Sequence, residues 1–179
     1  LPENLRGPLT AVSDETVKVA AFPFGCHLCE VEVDVDTGAI ELVSYAAVDD
    51  VGRAVNPLIL HGQAHGGIVQ GLGQAMSELC NYDSQTGQLL SASLMDYAMP
   101  RADNVPSFTT EISEVLSATN PLGIRAGGEG GTTPALAAYV NAIVDALEDL
   151  GVRHVEMPAT AERVWRAIQD ASYRKGETK

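Results

Sequence analysis

The stretch HLCEVEVDVDTGAIELVSYAAVDD, residues 27–50, sets β-branched and apolar residues against acids in alternation. Leu28, Val31, Val33 and Val35 interleave with Glu30, Glu32, Asp34 and Asp36, with a slip of phase near Cys29. Period-two alternation with one charged side is the signature of a strand buried on one face. Asp36-Thr37-Gly38 supplies a turn, and residues 39–50 read as the partner strand. With TVKVAAFPF (16–24) ahead of them, residues 17–50 are expected to form an antiparallel meander.

Working outward, the pattern changes from period two to helical spacing. Pro57 suits a first helical turn, and Leu60, Ala64, Ile68, Leu72, Ala75 and Leu79 then recur on one helical face. That segment also carries Gly62, Gly66, Gly67, Gly71 and Gly73. Each glycine costs roughly 1 kcal/mol against alanine inside a helix, so another backbone or a ligand is expected against the glycine face. Residues 81–90 read as a turn and short strand, and 96–108 as proline-broken and irregular. FTTEISEV (108–115) reads as a strand, and TPALAAYVNAIVDALEDLG (133–151) as a helix stopped by Gly151. A terminal helix is expected to start near Pro158 or Thr160. The mixed order gives an α+β fold, an antiparallel meander plus helices. Residues 1–16 read as a linker or excised start, 17–170 as the folded portion and 171–179 as a frayed tail.

The totals exclude several classes. A chain of 179 residues with 45% hydrophobic residues can build a real core. Its net charge of −13, with no basic cluster, argues against nucleic acid and anionic membrane as partners. No apolar run has membrane-spanning length. The start LPENLRGPLT has no leader pattern and no initiator Met, and reads as the middle of something longer. Three cysteines without a disulfide framework fit a reducing, cytoplasmic setting.

Several motifs bear on chemistry. CHLC (26–29) runs into a strand rather than a helix N-terminus, and Cys80 is the only other cysteine; a structural role is favoured over redox or zinc. His61 and His65 stand four apart, as zinc ligands can, but Gly62 occupies the place of the general base that zinc hydrolysis needs. Packing or hydrogen-bonding histidines are the favoured reading. Gly71-Leu72-Gly73 fails as a dinucleotide fingerprint, because residue 76 is Met76 and no strand leads into it. There is no phosphate-binding GK[ST]. GIRAGGEGGTTPA (123–135) places Glu129 among Gly127, Gly128, Gly130 and Gly131, just ahead of a helix. Spacing alone leaves two readings level: a capping glutamate on a loop, or a general base in a cavity walled by backbone.

Six ordered stretches together carry a resemblance: FPFGCHLCEVEVDVDTG, DDVGRAVNP, HGQAHGGIVQGLGQAM, MDYAMPRADNVP, NPLGIRAGGEGG and PATAERVWRAI. The chain, from about residue 17 to 170, resembles the C-terminal part of the molybdopterin-binding large subunit of the xanthine oxidase family, which includes aldehyde oxidoreductases and aerobic carbon monoxide dehydrogenases. The resemblance implies the second half of a molybdenum-cofactor-binding domain, and oxidation of an aldehyde, carbon monoxide or N-heterocycle with water as oxygen source. It implies a molybdopterin cofactor, in bacteria often the cytosine dinucleotide. A family glutamate takes the proton from the hydroxyl on the metal, and hydride passes to a sulfido ligand. Electrons leave through iron–sulfur clusters to flavin (FAD) on partner subunits.

By that resemblance Glu129 is the catalytic base, and Gln70, Gly71 and Gly128 lie on the cofactor side, with no protein residue ligating the metal. Gly130-Gly131 replaces the two prolines that follow the glutamate in xanthine-type members, which leans toward the aldehyde or carbon monoxide branch. The family's upstream cofactor loops and substrate-discriminating loop are missing from these residues, as is an iron–sulfur cysteine pattern. The chain alone is therefore expected to be inactive and without cofactor. It is also expected to expose apolar surface for the remainder of the large subunit, or to dimerise. A different class of reading, a non-catalytic assembly module of the same fold, predicts Glu129 pinned in a surface salt bridge and an unpaired sheet edge.

Overall fold

The computed structural model describes residues 19–177 continuously and, before them, residues 2, 6, 7, 10–14 and 16, with side chains described as far as residue 173. Strand β1 (Phe24–Val33) pairs antiparallel with β2 (Ile40–Asp50). Helix α1 (Pro57–Met76) crosses to β3 (Thr109–Ser113), which joins β2 in parallel, giving the order β1-β2-β3. Helices α2 (Thr132–Ala146) and α3 (Ala161–Glu177) follow. Sheet and helices make the α+β architecture expected.

The β1–β2 turn is built by Asp34, which accepts hydrogen bonds from the Asp36 N–H at 2.9 Å and the Thr37 hydroxyl at 2.7 Å. Gly38 closes it at φ +73°, a conformation that favours glycine. The meander is shorter at its start than expected: residues 19–23 form no strand, and Val17 and Lys18 lie outside the described residues. The phase slip is real but lies across the pair. Glu30 faces Ser44 and Val31 faces Leu42, so β2 carries an extra residue, Val43. Alternation in β1 is therefore unbroken, with His27, Cys29, Val31 and Val33 turned inward. Leu28, expected inward, stands on the outer face at 68% exposure.

Asn56 caps α1 by accepting the Ile59 N–H, and Pro57 occupies its first turn. The helix stops at Met76, so Leu79 falls outside it and is exposed. The expected strand within 81–90 reduces to one bridge, Tyr82 to Leu89, around a turn held by Asp83. α2 ends at Ala146; a short 3-10 turn (Glu148–Leu150) leads to Gly151 in the left-handed region. α3 continues to Glu177, past the end expected near residue 171, while residues 178 and 179 lie outside the described set.

Tyr45 and Ala47 of the sheet pack against Ile68 and Leu72 of α1, Ala135, Tyr139 and Ile143 of α2, and Val164 and Ile168 of α3. Truncating a fully buried residue such as Leu72 removes roughly 2–5 kcal/mol of stability. This core fixes α1 beside α2, and that pairing positions the glycine-rich loop.

Candidate functional site

The loop from β3 to α2 is tied down along its first half. Asp50, buried at the end of β2, accepts the Gly52 N–H at 2.8 Å and the Val115 N–H at 3.3 Å. Asn120 bonds Ile124 in both directions, at 2.9 and 3.1 Å. The Arg125 N–H reaches Val51 O at 2.7 Å. The Arg125 guanidinium lies 3.7 Å from Asp50 Oδ1 and 4.8 Å from the centroid of the Phe24 ring. Arg125 is four residues before Glu129, so its anchoring sets where the carboxylate emerges.

Beyond Arg125 the ties stop. Among the described residues, the backbone N–H groups of 126–131 make no hydrogen bond. The Thr132 N–H donates to Glu129 O at 3.1 Å as α2 begins. Gly131 caps α2 without a side-chain bond. Free N–H groups at a helix start, with the positive end of its dipole, suit oxygen-rich or anionic groups.

The four glycines divide by role. A methyl on Gly131 would come within 2.9 Å of Ile68 N, and one on Gly127 within 3.0 Å of Leu60 Cδ2, so these two permit the loop to lie on α1. Gly128 and Gly130, directly beside Glu129, have nothing closer than 3.9 Å. Glu129 is exposed between them, and no ion pair or hydrogen bond engages its carboxylate among the described residues. The surface salt bridge expected for an assembly module is therefore not made.

On α1, Gln70 is exposed and its Oε1 lies 3.4 Å from the Thr132 hydroxyl that donates to it. The fold thus brings Gln70 to the foot of α2, three residues past Glu129. Gly71 is buried instead: a methyl there would stand 2.9 Å from Ala135 Cβ and would strike Thr132 O. Its bareness serves the approach of α2, which then allows Gln70 to reach Thr132. Gln63, two helical turns before Gln70, lies 3.9 Å from where a Gly128 side chain would begin. Nothing in the residue pattern separated Gln63 from an ordinary exposed helix position.

The histidine pair is engaged elsewhere. His61 Nδ1 and His65 Nε2 lie 2.8 and 3.1 Å from the Thr110 hydroxyl, which can donate to one ring and accept from the other. Among the described residues no group of three His, Cys, Asp or Glu is arranged to hold a metal ion. In the CHLC motif, Cys26 is exposed and Cys29 points inward, three residues along a strand and so on opposite faces. Their backbones are about 10 Å apart, too far for a disulfide. Burial pushes the Cys29 thiol up to about 11.

Two acids escaped the sequence reading. Asp49 and Asp50 are consecutive on β2 and both buried. Asp49 accepts from His27 Nε2 at 3.2 Å, and His27 Nδ1 lies 2.8 Å from the Tyr45 hydroxyl. The signal was present as adjacent acids ending a half-buried strand, where alternation leaves only one of them a solvent face. A wider groove of about 560 Å³ runs between α2 and residues 154–157, bordered by Leu136, Val140 and Met157. It does not include Glu129, and neither does the smaller concavity by the glycine bed, which Asp49, His61, Thr110, Gly127 and Gly130 border.

A model described as the molybdopterin cofactor-binding domain matches residues 8–106. The carbon monoxide dehydrogenase large chain of Hydrogenophaga pseudoflava is 35% identical over 94% of this chain and 21% of its own length. The nicotine 6-hydroxylase large subunit of Paenarthrobacter nicotinovorans is 39% identical over 83% of this chain and 18% of its own. The solved carbon monoxide dehydrogenase from Oligotropha carboxidovorans superposes with a TM-score of 0.80 at 34% identity, covering 85% of this chain and 19% of that one. The chain spans about a fifth of the length of the curated relatives it matches.

Proposed function

This chain belongs to the molybdopterin cofactor-binding domain family, and from that premise we propose that it forms one wall of the active site of a molybdenum hydroxylase large subunit, with Glu129 as general base. The observation that carries the reading is the Glu129 carboxylate itself: exposed, free of any cation among the described residues, and flanked by two glycines with open space beside them. A base must reach the proton it abstracts, and a carboxylate already held in an ion pair would first have to leave it.

The neighbouring groups fit a molybdopterin. The N–H groups of 126–131 and the start of α2 offer donors to its oxygens, Gln70 adds an amide beside Thr132, and Gly128 leaves room for close approach. Gly71 acts one step back, by seating α1 on α2. When bound, the molybdenum supplies a Lewis acid and an acceptor for two electrons. Glu129 holds and moves the proton, Gln70 and the loop amides orient, and the buried Asp50–Arg125 pair keeps the loop in place.

On this reading the substrate is a small molecule oxidised at carbon, in the class of carbon monoxide, aldehydes and N-heterocycles. The cytosine dinucleotide form of the cofactor, and iron–sulfur and flavin centres on partner subunits, complete the proposal, as does a cytoplasmic setting. No helix among the described residues is long and apolar enough to cross a membrane. Leu28, Leu58, Leu94 and Met95 are 68–93% exposed. The remainder of the large subunit covers these faces, or a second copy does when it is absent.

The test is the complete subunit, assembled with its partners, carrying Glu129→Gln. The variant is expected to keep its molybdenum and lose roughly 100-fold or more of its turnover. Turnover equal to wild type contradicts the assignment.

A further inference from the structure

The β1–β2 hairpin has two unlike halves. Toward its turn the outer face carries Glu30, Glu32, Glu41 and Ser44, with the bulged Val43 among them, as suits a face in water. Toward its open end the outer face carries Phe24, Cys26 and Leu28, with Val48 opposite Cys26. Phe24, Leu28 and Val48 are 62%, 68% and 47% exposed. On the inner face of the same half, His27 and Cys29 pair with the buried Ala47 and Tyr45. Residues 24–29 contain no Asp, Glu, Lys or Arg. A strand without charge on either face is suited to cover on both.

The edge of this half is open as well. The sheet order is β1-β2-β3, so among the described residues no strand pairs with the far side of β1. Proteins guard exposed edges with charges, prolines, bulges or shortness. β1 is ten residues long and has no proline, its acids stand at 30 and 32 alone, and the bulge belongs to β2. Residues 24–29 therefore present an unguarded edge beside an uncovered apolar face, which is the surface that strand addition completes. The chain spans 21% of the carbon monoxide dehydrogenase large chain to which it is similar, so most of such a subunit is available to supply the strand. The place bears on the site, because the Phe24 ring lies 4.8 Å from the Arg125 guanidinium that anchors the Glu129 loop.

We propose that residues 24–29 of β1 are the docking edge for an extended segment of the remainder of the large subunit, which pairs there as a fourth strand and covers Phe24, Leu28 and Val48. The inference rests on the reading of this chain as one wall of such a subunit, and it places the junction beside the Arg125 anchor.

Hydrogen exchange on the complete subunit, assembled with its partners, is the test. On an open edge every second N–H of 24–29 points away from β2 and exchanges nearly as fast as in an unfolded chain. With the added strand, all the N–H groups of 24–29 are expected to be slowed by about 100-fold or more. Every second amide exchanging within about tenfold of the unprotected rate overturns the proposal. Protection that is lost on dilution, in step with a dimer separating, gives the edge to a second copy and overturns it equally. Leu28→Lys is expected to reduce protection at 24–29 by about tenfold, and Glu30→Lys by less than about twofold. Equal effects of the two contradict the placement on the apolar half. Glu129→Gln leaves exchange at 24–29 as in wild type, so a failure of the base assignment appears only in turnover.

Discussion

At the scale of single residues, Glu129 owes its position to groups several residues away. Arg125 carries a charge 14% exposed, set against Asp50 at 11%, and its Nε makes no hydrogen bond. Their attraction is offset by the cost of desolvating both, so the pair is better understood as an anchor than as a source of stability. Removing one partner is different, because it strands the other. Arg125→Ala is expected to cost about 3 kcal/mol, measured by urea denaturation, whereas loss of Arg166, in an exposed pair with Glu162, costs less than about 1 kcal/mol. The cysteines offer a second check. Cys26 and Cys80 are exposed, while burial holds the Cys29 thiol up at about 11. At pH 8 the thiolate is the reactive form, so a thiol reagent is expected to modify Cys26 and Cys80 rapidly and Cys29 only on unfolding. Equal rates at all three would contradict the inward placement of Cys29.

At the scale of elements, the glycines of α1 sort into two groups that sequence spacing alone did not separate. Gly67 and Gly71 face the start of α2, where an added methyl would press on Thr132 or Ala135. Gly62 and Gly66 face open space. Gly71→Ala is therefore expected to destabilise the chain by about 1–3 kcal/mol through overpacking. Gly62→Ala and Gly66→Ala are expected to stabilise it by about 0.5–1 kcal/mol each, since alanine restricts the unfolded chain and favours helix. Thermal denaturation of the three variants checks the signs. The hairpin and all three helices were legible because local periodicity determines them. The side of β1 that faces the core was not legible at Leu28, since the bulge at Val43 belongs to the partner strand. The parallel pairing of β3 with β2, and the burial of Asp49 and Asp50, depend on contacts more than sixty residues apart in the chain and leave no local pattern.

At the scale of the whole molecule, the family was legible from six ordered motifs, while the sequence singled out a carboxylate among glycines that the structure leaves exposed and without an ion pair among the described residues. The chain supplies a packed core and, on the proposed reading, one wall of a site. It also presents exposed apolar side chains on the sheet face, on the first turn of α1 and at Leu94 and Met95, as expected of a piece that packs against more protein. The most direct measurement is a structure of the complete subunit with its cofactor in place. It is predicted to put a Glu129 carboxylate oxygen within about 2.6–3.2 Å of an oxygen bound to the metal, or one water away, with Gln70 on the same side. A Glu129 turned away from the metal and held in an ion pair with the rest of the subunit would contradict the account.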